Sequence, residues 1–455
     1  MNPQALGWLK ARKSRARFGA ARAIVVGFGS AIAVGSVLLC LPISATDGTF
    51  TNPVTAIFTS TSALCVTGLT VVDTASYWSG FGLSVILVLI QLGGLGMMIF
   101  ATLLGIALFR KLSIRTRNNA IAESKEYQAD SVRRVATGIL CTSLAIEGML
   151  AVVLFFRFLI GYQYAPGSAA WNAIFHAVSA FNNAGFALYS DSLIGFVGDP
   201  WICLPISAAV ILGGLGFPVL RQLRRELRRP LHWTMNTRIV LTLTLVLLVL
   251  GTAYITVIEW NNPNTLGRLD PATRVLAGFF HSVQARTAGF NAVDIGELHD
   301  ETWLGMDVLM FIGAGPAGTG GGIKVTTFAV LLFVVWTELR GQNAVNVFGK
   351  RLSRSVHREA IAVALMAIAA VMAGVIAILA TTTLDLDTVL FEAVSAFATV
   401  GLSTGITADL PELGQLILVA LMFLGRVGPL TLGSALAMRE RKMAYELPKE
   451  RPAIG

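Results

Sequence analysis

The chain has 455 residues, of which 55% are hydrophobic and 13% charged, and its mean hydropathy is +0.69. Soluble domains carry roughly 25% charged residues, so this composition excludes an ordinary soluble protein and predicts a polytopic membrane protein. The formal net charge of +9 does not indicate nucleic-acid binding, because the basic clusters stand where the apolar segments end.

Apolar segments long enough to cross a bilayer recur along the chain. A spanning helix needs about 20 predominantly apolar residues. The segments that meet this length are predicted near 22–43, 80–109, 134–161, 198–222, 237–259, 302–339, 357–381 and 413–437. An even number of spans places both ends of the chain on one side of the membrane.

The connections between the spans differ in charge. Lys and Arg gather in the arm 1–21, in the connection 110–134, after the fourth and sixth spans, and in the tail 439–455. The connections on the other side are poor in both residues. By the positive-inside rule both termini are predicted to be cytoplasmic, and the basic face suits anionic membrane lipids as well as a protein partner.

A short apolar helix that runs into a glycine-bearing turn is predicted between the two spans of each pair. A helix of about 12 residues rises roughly 18 Å, less than a bilayer core of about 30 Å, so each short helix must enter and return on one side. The four segments are 53–69, 170–186, 273–290 and 388–402. One such turn alone is an ordinary loop, but four in register predict a single pore.

The four turns supply what a monovalent cation needs. Glycine reaches positive φ without strain, so successive carbonyl oxygens can face the same side and replace the hydration shell of a cation. The C-terminal end of each short helix is partly negative and points at the same place. The turns are 65–68, 183–185, 287–289 and 399–401. None of them carries a carboxylate, which favours a monovalent ion over a divalent one.

The sixth predicted span contains a glycine-rich segment. Six glycines and one proline lie between Gly313 and Ile323, and both residue types are poor helix formers. The span is therefore predicted to break near mid-membrane, either as a structural kink or as a mobile loop. The segment is not a nucleotide-binding P-loop, because the residue after Lys324 is valine where that motif needs serine or threonine.

Basic residues inside the predicted spans need partners there. Arg426 lies deep in the last span, where a guanidinium is costly unless it meets water or acceptors, and the freed carbonyls of 313–322 suit its five donors. Lys324 either joins this loop or extends to the cytoplasmic interface. Arg286, beside the third turn, is expected to form hydrogen bonds behind that turn, since a cation facing the ion path repels other cations.

Eight motifs carry a resemblance to a known family. They are TSALCVTGLTVVDT (61–74), QLGGLGMM (91–98), HAVSAFNNAGFALYSDS (176–192), GGLGFPV (213–219), ARTAGFNAVD (285–294), the loop 312–325, SAFATVGLSTGITADL (395–410) and FLGRVGPLTL (423–432). Along nearly its whole length the chain resembles the Ktr/Trk/HKT superfamily of potassium transporters, and most closely the membrane subunit of Ktr systems.

The resemblance implies a selectivity filter for potassium, with sodium as a second candidate ion. All four filter glycines are present, which in this family goes with potassium selectivity. The residues whose backbone carbonyls would bind the ion are Val66, Thr67, Gly68, Asn183, Ala184, Gly185, Thr287, Ala288, Gly289, Thr399, Val400 and Gly401.

The resemblance also implies a gate and partners. The gate would be an intramembrane loop on the cytoplasmic side of the filter, in a homodimer of the bacterial plasma membrane with one pore per chain. A cytoplasmic KtrA-like ring of nucleotide-binding subunits would control it, and this chain would bind no organic cofactor itself. The predicted gate residues are Gly313, Gly315, Pro316, Gly318, Thr319, Gly320, Gly321, Gly322, Lys324 and Arg426.

The expected fold class is an all-α polytopic membrane protein with four pseudo-repeats of transmembrane helix, re-entrant pore helix and filter loop, and transmembrane helix around one central pore. The predicted repeats are 22–110, 134–222, 237–340 and 357–438. The expected function is potassium uptake by a channel-like subunit, and the alternative is a sodium- or proton-coupled potassium symporter of the Trk type. An enzyme is not expected, because His, Asp and Glu do not cluster at one depth.

Overall fold

The computed structural model describes residues 24–109, 126–342 and 344–428. The predicted arm 1–21, the tail 439–455, most of the basic connection 110–134 and the end of the last predicted span lie outside the described residues. Within the described part the protein is helical, apart from one short hairpin and the connecting turns.

The α-helices follow one another with short connections. In chain order they are α1 (Ile24–Cys40), α2 (Pro53–Cys65), α3 (Thr74–Tyr77), α4 (Gly80–Phe109), α5 (Glu126–Phe156), α6 (Pro166–Phe181), α7 (Pro200–Leu215), α8 (Phe217–Glu226), α9 (Met235–Ile258), α10 (Pro271–Gln284), α11 (Asp300–Phe311), α12 (Val325–Leu339), α13 (Arg354–Leu379), α14 (Leu386–Ala398) and α15 (Glu412–Val427). A π-helical turn, Arg157–Gly161, continues α5. Strands β1 (Asn346–Val347) and β2 (Lys350–Arg351) pair antiparallel between α12 and α13.

The same succession of a long helix, a short helix, a turn and another helix occurs four times. The short helices α2, α6, α10 and α14 have 13, 16, 14 and 13 residues, a rise of about 20 to 24 Å that falls short of the bilayer core. In the described residues, 4 further helices are long and apolar enough to cross a membrane, and one bent pair could add a fifth span. The predicted all-α polytopic fold is confirmed.

Local sequence explains where the short helices begin and end. Proline is the first residue of α2, α6 and α10, where its missing N–H costs no helical hydrogen bond. The side chain of Asn52 accepts a hydrogen bond from the N–H of Val54, and Asp270 accepts those of Ala272 and Thr273, which caps both helices. A residue in the left-handed conformation directly follows α2 and α14 and ends them.

The repeats close into a circle. Helix α4 contacts α6, α7 contacts α10, and α11 contacts α14, so the second long element of each repeat packs on the short helix of the next. The contact between α15 and α2 completes the circle from the fourth repeat to the first. One phenylalanine on each short helix is fully buried, namely Phe58, Phe175, Phe280 and Phe391. This packing brings the four turns to one axis.

Two predicted spans are interrupted. The break predicted in the sixth is present, since α11 ends at Phe311 and α12 begins at Val325. The prediction of a continuous fourth span over 198–222 is wrong, because α7 and α8 meet at an angle of 101°. At the bend Gly216 has a φ of +87°, and a Cβ atom there would collide with the carbonyl oxygen of Pro316. The chain therefore turns aside where the glycine-rich segment packs against it.

Candidate functional site

Each of the four turns alternates between left-handed and ordinary backbone. The glycines have φ of +96°, +70°, +81° and +96° at Gly68, Gly185, Gly289 and Gly401. Two positions earlier stand Val66, Asn183, Thr287 and Thr399, with φ of +57°, +59°, +73° and +52°. Positive φ is uncommon outside glycine and is an outlier for a β-branched residue. Strain of this kind, repeated at one place in four repeats, points to a functional constraint on the backbone.

The turns meet edge to edge in a closed ring. A Cβ atom added to Gly68 would lie within 2.7 Å of the carbonyl oxygen of Ala184, and one added to Gly185 equally close to that of Ala288. The same holds from Gly289 to Val400 and from Gly401 back to Thr67. Each glycine thus faces the neighbouring repeat's carbonyl so closely that no side chain fits. We call the turns 66–68, 183–185, 287–289 and 399–401 the ring.

Serine hydroxyls behind the ring fix the turns. The hydroxyl of Ser62 accepts a hydrogen bond from the N–H of Gly68 (3.1 Å), and that of Ser395 accepts one from the N–H of Gly401 (3.1 Å). In the second repeat Ser179 donates to the carbonyl oxygen of Phe186 (2.8 Å). These bonds hold the backbone of the turns in place.

In three of the four repeats, a polar side chain of the short helix accepts a hydrogen bond from the segment outside the ring. In the third repeat Nε2 of His281 accepts from the N–H of Val293 (3.2 Å), and in the second Nε2 of His176 accepts from that of Leu188 (3.4 Å). In the fourth, Glu392 accepts from the N–H of Thr404 (3.1 Å). Glu392 lies in the middle of α14. Glu392 and His176 precede their ring glycines by the same number of residues, so their positions in the sequence already indicate a shared role.

The glycine-rich segment, residues 313–322, forms a compact loop below the ring. The N–H of Gly313 donates to the carbonyl oxygen of Ile323 (2.8 Å), so the two ends of the loop lie side by side. The N–H groups of Gly315 and Thr319 donate to the carbonyl oxygens of Gly214 (2.8 Å) and Gly213 (3.2 Å) on α7. The loop is therefore anchored to the second repeat.

Successive residues of the loop contact successive turns of the ring. The Thr319 hydroxyl donates to Oδ1 of Asn183 (2.8 Å), and the N–H of Gly321 donates to the Thr399 hydroxyl (3.0 Å). Between them, a Cβ atom on Gly320 would collide with the hydroxyl of Thr287. The loop thus crosses directly beneath the second, third and fourth turns, and at Gly320 and Gly321 no side chain would fit.

The predicted gate cations both reach the loop. The guanidinium of Arg426, 3% exposed, donates to the carbonyl oxygen of Thr319 and to that of Gly93 (2.8 Å). The ammonium of Lys324 donates to the carbonyl oxygens of Gly320 (2.5 Å) and Gly321 (3.4 Å). Of the two positions considered for Lys324, the structure shows the one at the loop. Backbone carbonyls are the partners of both charges.

Arg286 lies away from the loop. Its guanidinium donates a long hydrogen bond to the hydroxyl of Thr244 on α9 (3.4 Å), and it lines a small cavity between α7, α9 and α10. The expected hydrogen bond behind the third turn is therefore present, and its acceptor is a hydroxyl of the neighbouring span.

A cavity of about 570 Å³ opens above the ring, and the four ring glycines form its floor. Asp73, Asp191 and Asp294 line it from three repeats, and Thr407 lines it from the fourth. Burial raises the pKa of Asp73, but hydrogen bonds from Ser190 and Ser76 outweigh it and hold the pKa below its ordinary value. Each of these aspartates follows its ring glycine at nearly the same distance along the chain, which is the signal that the sequence offers for them.

A circle of re-entrant helices whose turns meet on one axis, with an open cavity above, defines a multi-pass membrane transport protein. Over residues 4–443 the chain matches the family model described as TrkH, cation transport protein, and the chain belongs to this family. It is a transporter and not an enzyme, and the resemblance to Ktr/Trk transporters drawn from the motifs is confirmed.

Three similar proteins illustrate the match. Ktr system potassium uptake protein B of Vibrio alginolyticus is 38% identical over 94% of this chain and 94% of its own, and the protein of the same name from Bacillus subtilis is 38% identical over 93% and 94%. Potassium/sodium uptake protein NtpJ of Enterococcus hirae is 32% identical over 98% and 99%.

The fold matches a solved structure. The potassium transporter TrkH from Vibrio parahaemolyticus superposes with a TM-score of 0.72, covering 91% of this chain and 84% of that one. Because the sequence identity is 18%, this similarity shows the fold alone.

Proposed function

We propose that the protein is the channel-like, potassium-conducting subunit of a Ktr-type uptake system. The observation that carries this proposal is the closed ring, in which four strained turns meet on one axis. Carbonyl oxygens at such a ring replace the hydration shell of an ion. The similar proteins named potassium uptake protein and potassium/sodium uptake protein supply the ion, with potassium as the main substrate and sodium as the second candidate.

The selectivity filter in this proposal consists of the twelve ring residues. None of them bears a carboxylate, so the ion would meet only neutral dipoles, and a divalent ion would not recover the cost of its dehydration. The partly negative ends of α2, α6, α10 and α14 add a favourable field. The acidic cavity above would raise the local concentration of cations.

The loop 313–322 acts as the gate in this proposal. It crosses below three of the four turns, its own residues are almost all buried, and Arg426 and Lys324 donate to its carbonyls. An ion that leaves the ring toward the cytoplasm would meet this loop. Its glycines, which are the cheapest residues to bring close to the ring, are also the most flexible.

The loop sits on the side that the charge pattern assigns to the cytoplasm, so a cytoplasmic partner is the natural controller. We place both termini and the basic connections on that side, where they would meet anionic lipids and a KtrA-like ring of nucleotide-binding subunits. The names of two similar proteins refer to a Ktr system. A homodimer with one pore per chain completes the proposed assembly.

Flux into proteoliposomes tests this function. The protein, copurified with its cytoplasmic partner, is expected to take up K⁺ down a K⁺ gradient alone, because a carbonyl ring needs no second ion to conduct. The measurement is initial uptake with and without an imposed Na⁺ or pH gradient. Flux that stops when both gradients are absent would favour the coupled symporter instead.

The three aspartates above the ring are expected to speed ion entry. Changing Asp73, Asp191 and Asp294 together to asparagine should lower the initial K⁺ uptake rate about tenfold at low ionic strength, since charged clefts raise on-rates by 10- to 1,000-fold. The loss should shrink in 1 M salt, where the Debye length is about 3 Å. Asp409→Asn, an exposed outer-loop residue that does not line this cavity, is the control. A loss that ignores ionic strength would contradict the electrostatic role.

A further inference from the structure

Two side chains of the ring accept hydrogen bonds from the loop. Oδ1 of Asn183 accepts from the Thr319 hydroxyl at 2.8 Å, and the hydroxyl of Thr399 accepts from the N–H of Gly321 at 3.0 Å. Asn183, Thr319 and Thr399 are all 0% exposed. At such sites a lost partner is not replaced by water, so these bonds matter more than surface bonds do.

The four turns are unequal in this respect. Val66 occupies the matching position of the first turn with an apolar side chain, and Thr287 occupies that of the third. The hydroxyl of Thr287 is buried and has no hydrogen-bond partner among the described residues. Thr287 and Thr399 therefore carry the same side chain at the same ring position, but only that of Thr399 bonds to the loop.

Further hydrogen bonds of the loop run to the spans. Gly315 and Thr319 bond to α7 through their backbone N–H groups, and Arg426 on α15 donates to the carbonyl of Thr319. These contacts hold the loop in the bundle, whereas the bonds from Asn183 and Thr399 are made by the same residues whose backbone lines the ring.

We propose that Asn183 and Thr399 form a latch that ties the ring to the closed loop. Opening requires the loop to leave, and the two bonds must then break. The latch rests on the proposed gate and deepens it, because residues of the ion path become positioning residues for the gate. By linkage, anything that changes these two turns changes the stability of the closed loop, and the reverse holds equally.

The test is K⁺ uptake into proteoliposomes without the cytoplasmic partner. Thr399→Val removes the hydroxyl and keeps the branched shape, and Thr319→Val breaks the other bond from the loop side. Each is expected to raise uptake about 2- to 10-fold, as the loss of one hydrogen bond predicts. Thr399→Ser keeps the hydroxyl and should return uptake toward the parent value. Thr319→Val, which lies outside the ring, should keep the preference for K⁺ over Na⁺.

Two comparisons separate a latch from general damage. Thr287→Val makes the same chemical change one repeat away, and an equal rise there would overturn the latch. A rise in Thr399→Val that comes with lost K⁺ preference would overturn it too, because it would report a damaged ring.

The background lacking residues 313–322 separates the latch from the gate. In that background Thr399→Val should raise uptake no further. If the deletion raises uptake while neither Thr399→Val nor Thr319→Val does, the latch is wrong and the gate stands. If the deletion itself fails to raise uptake in a folded protein, the gate is wrong, and the latch falls with it.

Discussion

Replacing Gly401 by serine is expected to lower the preference for K⁺ over Na⁺ about tenfold or more. Gly401 has a φ of +96°, and a Cβ atom there would collide with the carbonyl oxygen of Thr67. A strained residue costs about 1–3 kcal/mol, and 1.4 kcal/mol corresponds to a factor of ten. The turn would have to shift, and the spacing of the carbonyl oxygens would shift with it. Gly185→Ser, at a φ of +70° beside Ala288, should act in the same direction.

The measurement is the ratio of K⁺ to Na⁺ uptake by the same preparation. Gly48→Ser is the matched control, since Gly48 also has a left-handed φ of +71° but has nothing within 4 Å of an added Cβ atom. It repeats the backbone strain of Gly185→Ser without the collision. If both ring variants kept the parent ratio, the assignment of the filter to these turns would be wrong.

Deleting residues 313–322 is expected to raise K⁺ uptake without the cytoplasmic partner at least about tenfold. The deletion removes the chain that crosses beneath the ring. It joins Ile312 to Ile323, which already lie side by side through a β-bridge, so the flanking helices need not move far. Arg426 loses its acceptor on Thr319 and keeps the carbonyl of Gly93. A tenfold rise corresponds to a change of only about 1.4 kcal/mol in the free energy that separates the closed and open states.

The control for this experiment is the parent chain with and without its partner. Monodisperse elution and an unchanged melting temperature would show that the deleted protein is folded. Unchanged or lost uptake in such a protein would count against a gate. Increased uptake with lost K⁺ preference would show instead that the loop supports the ring.

Glycine explains most of what was predicted correctly. Gly68, Gly185, Gly289 and Gly401 mark the turns because only glycine tolerates both the positive φ and the close approach of a neighbouring carbonyl. The break in the sixth span was visible for the same reason. A backbone conformation that requires glycine can be recognised in the sequence without knowledge of the distant contacts.

Features that depend on contacts between distant segments were missed. The bend at Gly216 is hidden because 198–222 is one largely apolar run, and the residue that packs against the bend, Pro316, lies far along the chain. Asp73 and Asp294 line one cavity only because the four repeats close into a circle. The hydrogen bond from Thr404 to Glu392 likewise forms only because the fold brings the outer segment back to α14.

The close approach of Gly401 to Thr67 joins the fourth repeat to the first, and it has a consequence for biosynthesis. Three quarters of the chain can be inserted into the membrane while the ring still lacks one side. Contacts of such high sequence separation form late in folding, and domains assemble as synthesis proceeds from the N-terminus. The ring of a growing chain therefore stays open on one side until the fourth repeat has been synthesised.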